Sequence, residues 1–220
     1  MEIVELNDDF FLSKGSERSV YIHPNDKSKV IKILYNQKSK NNQNEMEYKY
    51  YKYLEIKQVS FEHITNCYGW INTNLGKGLI FDRIEATQLT YIIKNKLFDE
   101  KSLLLLLKDL KLYLEDNQIL FTDVATLNVM CKEISENNYK LIIIDGLGPK
   151  RGGFKSFLYL KFNLYTKYKI KKQWKKFLIM TSACYYLASC HLTWKKQRVF
   201  LPGGDLLRRF ILSPGKISRN

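Results

Sequence analysis

Asp123, Asn128 and Asp145 carry the side chains best suited to chemistry in this chain of 220 residues. Asn128 follows Asp123 by five positions, and Asp145 ends the apolar run Leu141-Ile142-Ile143-Ile144, directly before Gly146. Mg²⁺ takes oxygen ligands and keeps several waters, so a carboxylate and an amide oxygen beside two strands hold it once phosphate oxygens join them. A further carboxylate within reach can accept the proton of a hydroxyl that attacks a phosphoryl group. The spacing predicts Asp123 as that base and Asn128 and Asp145 as metal ligands, separated by a short hairpin of β-type residues. Asp and Gly also end strands as ordinary turn formers, so the reading needs support from elsewhere.

The N-terminal third supplies it. Around Ser13 to Leu34 the pattern predicts a three-strand meander, with the turn cluster His23-Pro24-Asn25-Asp26 before the third strand Val30-Ile31-Lys32-Ile33-Leu34. A lysine in that strand matches the kinase element in which it reaches the α- and β-phosphates of ATP, and Val30 would pack on adenine. Gly15 is the surviving glycine of a G-x-G-x-x-G loop, with Ser13 and Arg18 at flanking glycine positions. Gly78-Leu79-Ile80-Phe81 reads as a strand leading into a hinge, Asp82-Arg83-Ile84-Glu85, whose backbone would contact adenine. Gly15, Val30, Lys32, Ile80 and Asp82 are therefore the nucleotide-binding candidates.

Met46, Tyr50, Tyr53 and Leu54 recur at helical spacing and predict an amphipathic helix over 43–57. Glu47 lies on the side of Tyr50, Tyr51 and Leu54, whereas Glu45 is turned roughly 200° away at 100° per residue. Glu47 is the expected ion-pair partner of Lys32, and Glu45 is left to pair with Lys49 on the solvent side. A second helix is expected over 100–116, with Leu103, Leu106, Leu107, Leu110, Tyr113 and Leu114 on a core face.

The strings SERSVYIHPNDKSKVIKILYN, EYKYYKYL, LLKDLKLYLEDNQIL and TLNVMCKEISE resemble the bacterial PhoP regulatory network protein family, the YrbL-like proteins, over about residues 10–178. That family is related to protein kinases. The resemblance implies an α+β, kinase-like two-lobe fold with a small antiparallel-sheet lobe (1–84) and an abbreviated helical lobe (85–194). It implies kinase-like roles for Lys32, Glu47, Asp123, Asn128 and Asp145, and no substrate. Phe121-Thr122-Asp123 stands where protein kinases have His-Arg-Asp, Ala125 where serine/threonine kinases carry a lysine, and Asp145-Gly146-Leu147-Gly148 where they have Asp-Phe-Gly. These departures argue against an ordinary protein kinase.

Thirty-six Lys and Arg against 22 Asp and Glu give a formal charge of +14, which favours an anionic partner. Between Lys161 and Lys176 the cations are interleaved with Phe162, Tyr165, Tyr168 and Trp174, a composition suited to an anionic membrane surface or an anionic saccharide as well as to a solvated helix face. Nucleic acid ranks last, because no nucleic-acid motif accompanies the charge. The uncharged stretch 177–194 reads as a buried helix rather than a membrane span. Residues 195–220, richer in Arg, Gly and Pro, read as a tail of unknown role. Four cysteines without C-x-x-C spacing and the lack of a signal-peptide pattern predict a cytoplasmic protein, with contact to the inner membrane face through the basic stretch.

The resulting expectation is an ATP- and Mg²⁺-dependent phosphotransferase with a saccharide or small-molecule acceptor. The runner-up is a pseudokinase-type regulator that binds nucleotide or a partner without turnover, followed by a basic membrane- or nucleic-acid-binding module.

Overall fold

Runs rich in Val, Ile and Tyr suit a pleated, half-buried surface, and they build the first sheet. In the computed structural model, which describes residues 3–36, 42–149 and 154–193, β1 (Phe11–Lys14), β2 (Arg18–His23) and β3 (Asp26–Leu34) form the expected meander. β5 (Gly76–Asp82) pairs with β3, and β4 (Cys67–Thr73) with β5, giving an antiparallel sheet in the order β1-β2-β3-β5-β4. Residues directly opposite in an antiparallel ladder share a face. The pairs Arg18↔Leu34, Val20↔Lys32, Val30↔Phe81 and Lys32↔Leu79 therefore set Arg18, Lys32, Val30 and Phe81 on the inner face. Ile31, Ile33 and Ile80 take the outer face, where Leu6, Val4 and Phe10 of the N-terminal segment cover them.

Helix α1 (Gln43–Ile56) is capped by Asn42, whose side chain accepts from the Glu45 amide. Its buried face holds Asn44, Glu47, Tyr50, Tyr51 and Leu54, while Glu45 and Lys49 pair at 3.8 Å in solvent. A charged residue on an otherwise apolar face requires partners, and α1 delivers Glu47 to them under the sheet.

The remainder is mostly helical. It comprises β6 (Thr87–Gln88), α2 (Leu89–Asn95), α3 (Glu100–Asp116), the hairpin β7 (Val129–Ser135) and β8 (Asn138–Ile143), α4 (Phe154–Lys161) and α5 (Asn163–Thr193). Asp99 caps α3 by accepting from the Ser102 amide, and Leu103, Leu107, Leu110, Tyr113 and Leu114 are buried as their spacing requires. From Asn163 to Thr193 the basic stretch and the uncharged stretch that follows it form one continuous helix, α5. Among the described residues no helix is long and apolar enough to cross a membrane. The tail expected over 195–220 lies outside the described residues.

One apolar cluster runs from Val30, Leu79 and Phe81 of the first sheet through Leu110 and Leu114 to Val129, Ile143 and Phe177. The segment after α1 locks the two parts together. Buried His63 meets the Leu141 carbonyl through Nδ1 at 2.7 Å, and its own carbonyl accepts from the Ile143 amide at 2.8 Å. The end of β8, and with it Asp145, is thereby fixed against the first sheet.

Candidate functional site

Lys32 projects from the inner face of β3 onto the ring of Phe81, with Nζ 4.2 Å from its centroid. Nζ lies 3.4 Å from Glu47 Oε1 and 3.6 Å from Asp145 Oδ1, and donates to the Ile144 carbonyl at 2.9 Å. The helix phase that separates Glu47 from Glu45 in the sequence thus corresponds to a buried pair and an exposed one. Lys32 and Glu47 are each only about 5% exposed, so both charges depend on the surrounding ion pairs to remain buried there.

Arg18, which stands at a flanking position of the glycine loop in the sequence pattern, is buried in this network. Its Nη1 bonds Glu47 Oε2 and, at 3.0 Å, Asn44 Oδ1; its Nη2 donates to Asp145 Oδ1 at 2.6 Å. Burial would lower the guanidinium pKa, but Glu47 and Asp145 outweigh it and hold the group firmly charged. Asp145 mirrors this. Burial works to raise its pKa, yet Lys32 and Arg18, with the Gly146 amide, hold it well below the usual carboxylate range. Asn44, fully buried, completes the arrangement by donating to the Lys32 carbonyl at 2.9 Å.

Asp123 and Asn128 sit on the other side of Gly146. Asn128 Nδ2 donates to the Asp123 carbonyl at 2.9 Å and to its carboxylate at 3.2 Å, so the Asn128 oxygen is the atom of metal-ligand type. The Gly146 carbonyl accepts from the Thr122 and Asp123 amides at 2.9 and 3.0 Å, which ties the Asp123 loop to the end of β8. Gly146 has φ +86°, and a Cβ there would lie 2.7 Å from Asp123 Cβ and 2.8 Å from the Asp123 carbonyl. Glycine is required at this position by both backbone and contact. Gln173 of α5 donates to the Thr122 carbonyl at 2.9 Å and braces the same loop from behind. Beside the network lies a cleft of about 340 Å³, at the lower end of ligand-site volumes, lined by Ser16, Glu17, Glu47, Thr122, Asp123 and Asp145 among others.

Two of the sequence candidates, Ile80 and Gly15, lie away from the Lys32 network, and the Asp82 side chain has a structural use. Ile80 packs on the outer face with Ile31 and Ile33, because strand alternation puts Leu79 and Phe81, not Ile80, on the side of Lys32. Asp82 has its carboxylate committed to the Asn66 amide (2.7 Å), Asn66 Nδ2 (2.8 Å) and Tyr68 Oη (2.7 Å), which makes it a tie between β5 and the start of β4. Gly15 closes the β1–β2 turn by donating to the Arg18 carbonyl at 2.8 Å, and a Cβ there would meet only an ordinary contact at 3.4 Å. The cleft is lined by its neighbours Ser16 and Glu17 instead. Val30 is buried on the inner face at 6% exposure.

Among the described residues no group of three or more His, Cys, Asp or Glu is arranged to hold a metal ion. Asn128 Oδ1 and an Asp145 oxygen not engaged by Arg18 fit Mg²⁺ only in the mode in which phosphate oxygens and waters complete the shell.

Relatives share this stretch of sequence. The YrbL proteins of Escherichia coli (strain K12) and Shigella flexneri, both described as uncharacterized, are each 29% identical over 155 residues, covering 66% of this chain and 74% of theirs. The sequence profile of the family described as PhoP regulatory network protein YrbL matches residues 4–181, the span that holds Arg18, Lys32, Glu47, Asp123, Asn128 and Asp145, and the chain belongs to that family.

Proposed function

We propose that the chain is a phosphotransferase of kinase-like, two-lobe architecture that uses ATP with Mg²⁺ and phosphorylates a hydroxyl of a saccharide or other small molecule. The observation that carries the reading is the Lys32–Glu47 pair set against Asp145, with Asp123 and Asn128 joined to Asp145 through Gly146. Bound Mg·ATP supplies the transferable phosphoryl group. Lys32 holds phosphate oxygens while Glu47 keeps its side chain extended, and Asn128 Oδ1 with Asp145 holds the metal. Asp123, exposed at the cleft, accepts the proton of the acceptor hydroxyl. Glu17, Glu47, Asp123 and Asp145 line the cleft against the two buried cations Arg18 and Lys32. That excess of carboxylates favours a neutral acceptor over the anionic one suggested by the overall charge.

A second reading, nucleotide binding without turnover, is favoured by Arg18, which occupies one oxygen of the metal-ligating carboxylate at 2.6 Å. The test incubates the purified chain with γ-labelled ATP, Mg²⁺ and panels of neutral and anionic saccharides. Transfer to a neutral acceptor is expected, falling at least about a hundredfold in Asp123→Ala while nucleotide binding persists. Nucleotide binding without transfer to any acceptor supports the second reading, and absence of both removes the two together.

A further inference from the structure

The face of α5 that the proposed cleft does not use has an unusual composition. The sequence contains no Asp or Glu from 146 to 204, so α4 and α5 carry cations only. Thr166, Ile170, Trp174 and Phe177 are buried, which fixes the rotation of α5 and turns Lys171, Lys172, Lys175 and Lys176 outward. Among the described residues, Lys161, Lys167, Lys171 and Lys172 make no ion pair.

Large apolar side chains stand among these lysines at the α4–α5 joint. Leu164 is 82% exposed, Tyr168 61%, Phe162 51% and Tyr165 50%. Leu158, Tyr159, Leu164, Tyr165 and Tyr168 line an open groove of about 590 Å³. Scattered exposed hydrophobics are normal on a protein surface, but a contiguous cluster rimmed by charge of one sign marks an interaction surface.

We propose that this face, from Lys161 along the outer side of α5, docks on an anionic lipid bilayer. Charge narrows the occupant. The chain beyond Trp194 carries seven cations and one carboxylate, so it is repelled from the face, as is the same face of a second copy. An anionic partner remains, and the apolar residues select among anions. Leu164 and Phe162 bury favourably in the acyl boundary, Tyr165 and Tyr168 suit the headgroup layer, and the lysines reach lipid phosphates. A phosphate backbone in water would leave Leu164 exposed. The inference stands independently of the chemistry assigned to the cleft.

Co-sedimentation of the full chain with vesicles tests it, using neutral phosphatidylcholine and mixtures of phosphatidylcholine with phosphatidylglycerol. Binding to the anionic vesicles is expected at 0.1 M salt and should collapse at 0.5 M, because screening shortens the electrostatic reach. Each lysine near such a surface strengthens binding about fivefold, so Lys171→Gln with Lys172→Gln should weaken it about 25-fold. Leu164→Gln should weaken it about tenfold at unchanged charge. All three positions are exposed, and unchanged far-ultraviolet circular dichroism and melting temperature would show that the variants remain folded. Equal sedimentation with neutral and anionic vesicles, no sedimentation with either, or undiminished binding by the folded variants would overturn the proposal. So would tighter binding to duplex DNA than to anionic vesicles at equal phosphate concentration.

Discussion

The buried network of Arg18, Lys32, Glu47 and Asp145 makes a quantitative prediction about stability that needs no knowledge of a ligand. Glu47→Leu leaves Arg18 with Asp145 as its remaining counter-ion beside the neutral Asn44, and removes the carboxylate 3.4 Å from Lys32, in a region about 5% exposed. Breaking a buried pair by removing one partner costs about 3–5 kcal/mol. Arg18→Met should cost less, about 2 kcal/mol, because Lys32 still lies 3.4 Å from Glu47 and 3.6 Å from Asp145. The double variant replaces one ion pair with two apolar side chains and leaves Lys32 with Asp145. It should lose no more than about 2 kcal/mol, so the two substitutions are coupled by at least about 3 kcal/mol. Urea denaturation reads this directly. With a slope of about 3 kcal/mol/M, the Glu47→Leu midpoint should fall by at least about 1 M and the double variant should recover part of the loss. If the two single losses simply add, within about 0.5 kcal/mol, the guanidinium–carboxylate contact does not exist in solution.

The folded pKa of Asp145 is depressed, so its stabilising contribution is complete above the unfolded value near 3.9 and is lost as pH falls through the folded one. The destabilisation caused by Asp145→Asn should therefore be constant between about pH 5 and 8 and shrink below about pH 4, as followed by thermal unfolding against pH. Gly146→Ala should cost about 2 kcal/mol or more in denaturant midpoint, through its positive φ and its contact with Asp123, whereas Gly15→Ala should stay within about 1 kcal/mol of the parent.

Much of the inner site was legible where a local period carries the information. The helical phase of α1 separated Glu47 from Glu45, and the apolar run before Asp145 marked the end of β8. The role of Arg18 was not legible in that way, because its counter-ions lie 29 and 127 positions further along the chain. A signal existed even so: the alternation Arg18, Val20, Ile22 across from Leu34, Lys32, Val30 puts Arg18 on the lysine's face once β2 and β3 are paired. Ile80 misled for a related reason. β5 is apolar on both faces because residues 4–10 cover the outer one, so alternation of polarity could not tell inside from outside. The hinge expectation at Asp82 concerned its backbone; the bonds of its carboxylate to Asn66 and Tyr68 give the side chain a structural use that no local pattern signals.

The most direct test of the central claim is the thermal stability of the purified chain with nucleotide. If Lys32, Asn128 and Asp145 form one site, Mg·ATP at a hundredfold excess over Kd stabilises the folded state by about 2.7 kcal/mol. For a chain of this size the melting temperature should rise by about 5–10 °C. The rise should require the divalent ion and disappear in Asp145→Ala and, for the most part, in Lys32→Ala. No rise with ATP, GTP or their Mg²⁺ and Mn²⁺ complexes at millimolar concentration would contradict both the phosphotransferase and the nucleotide-binding regulator.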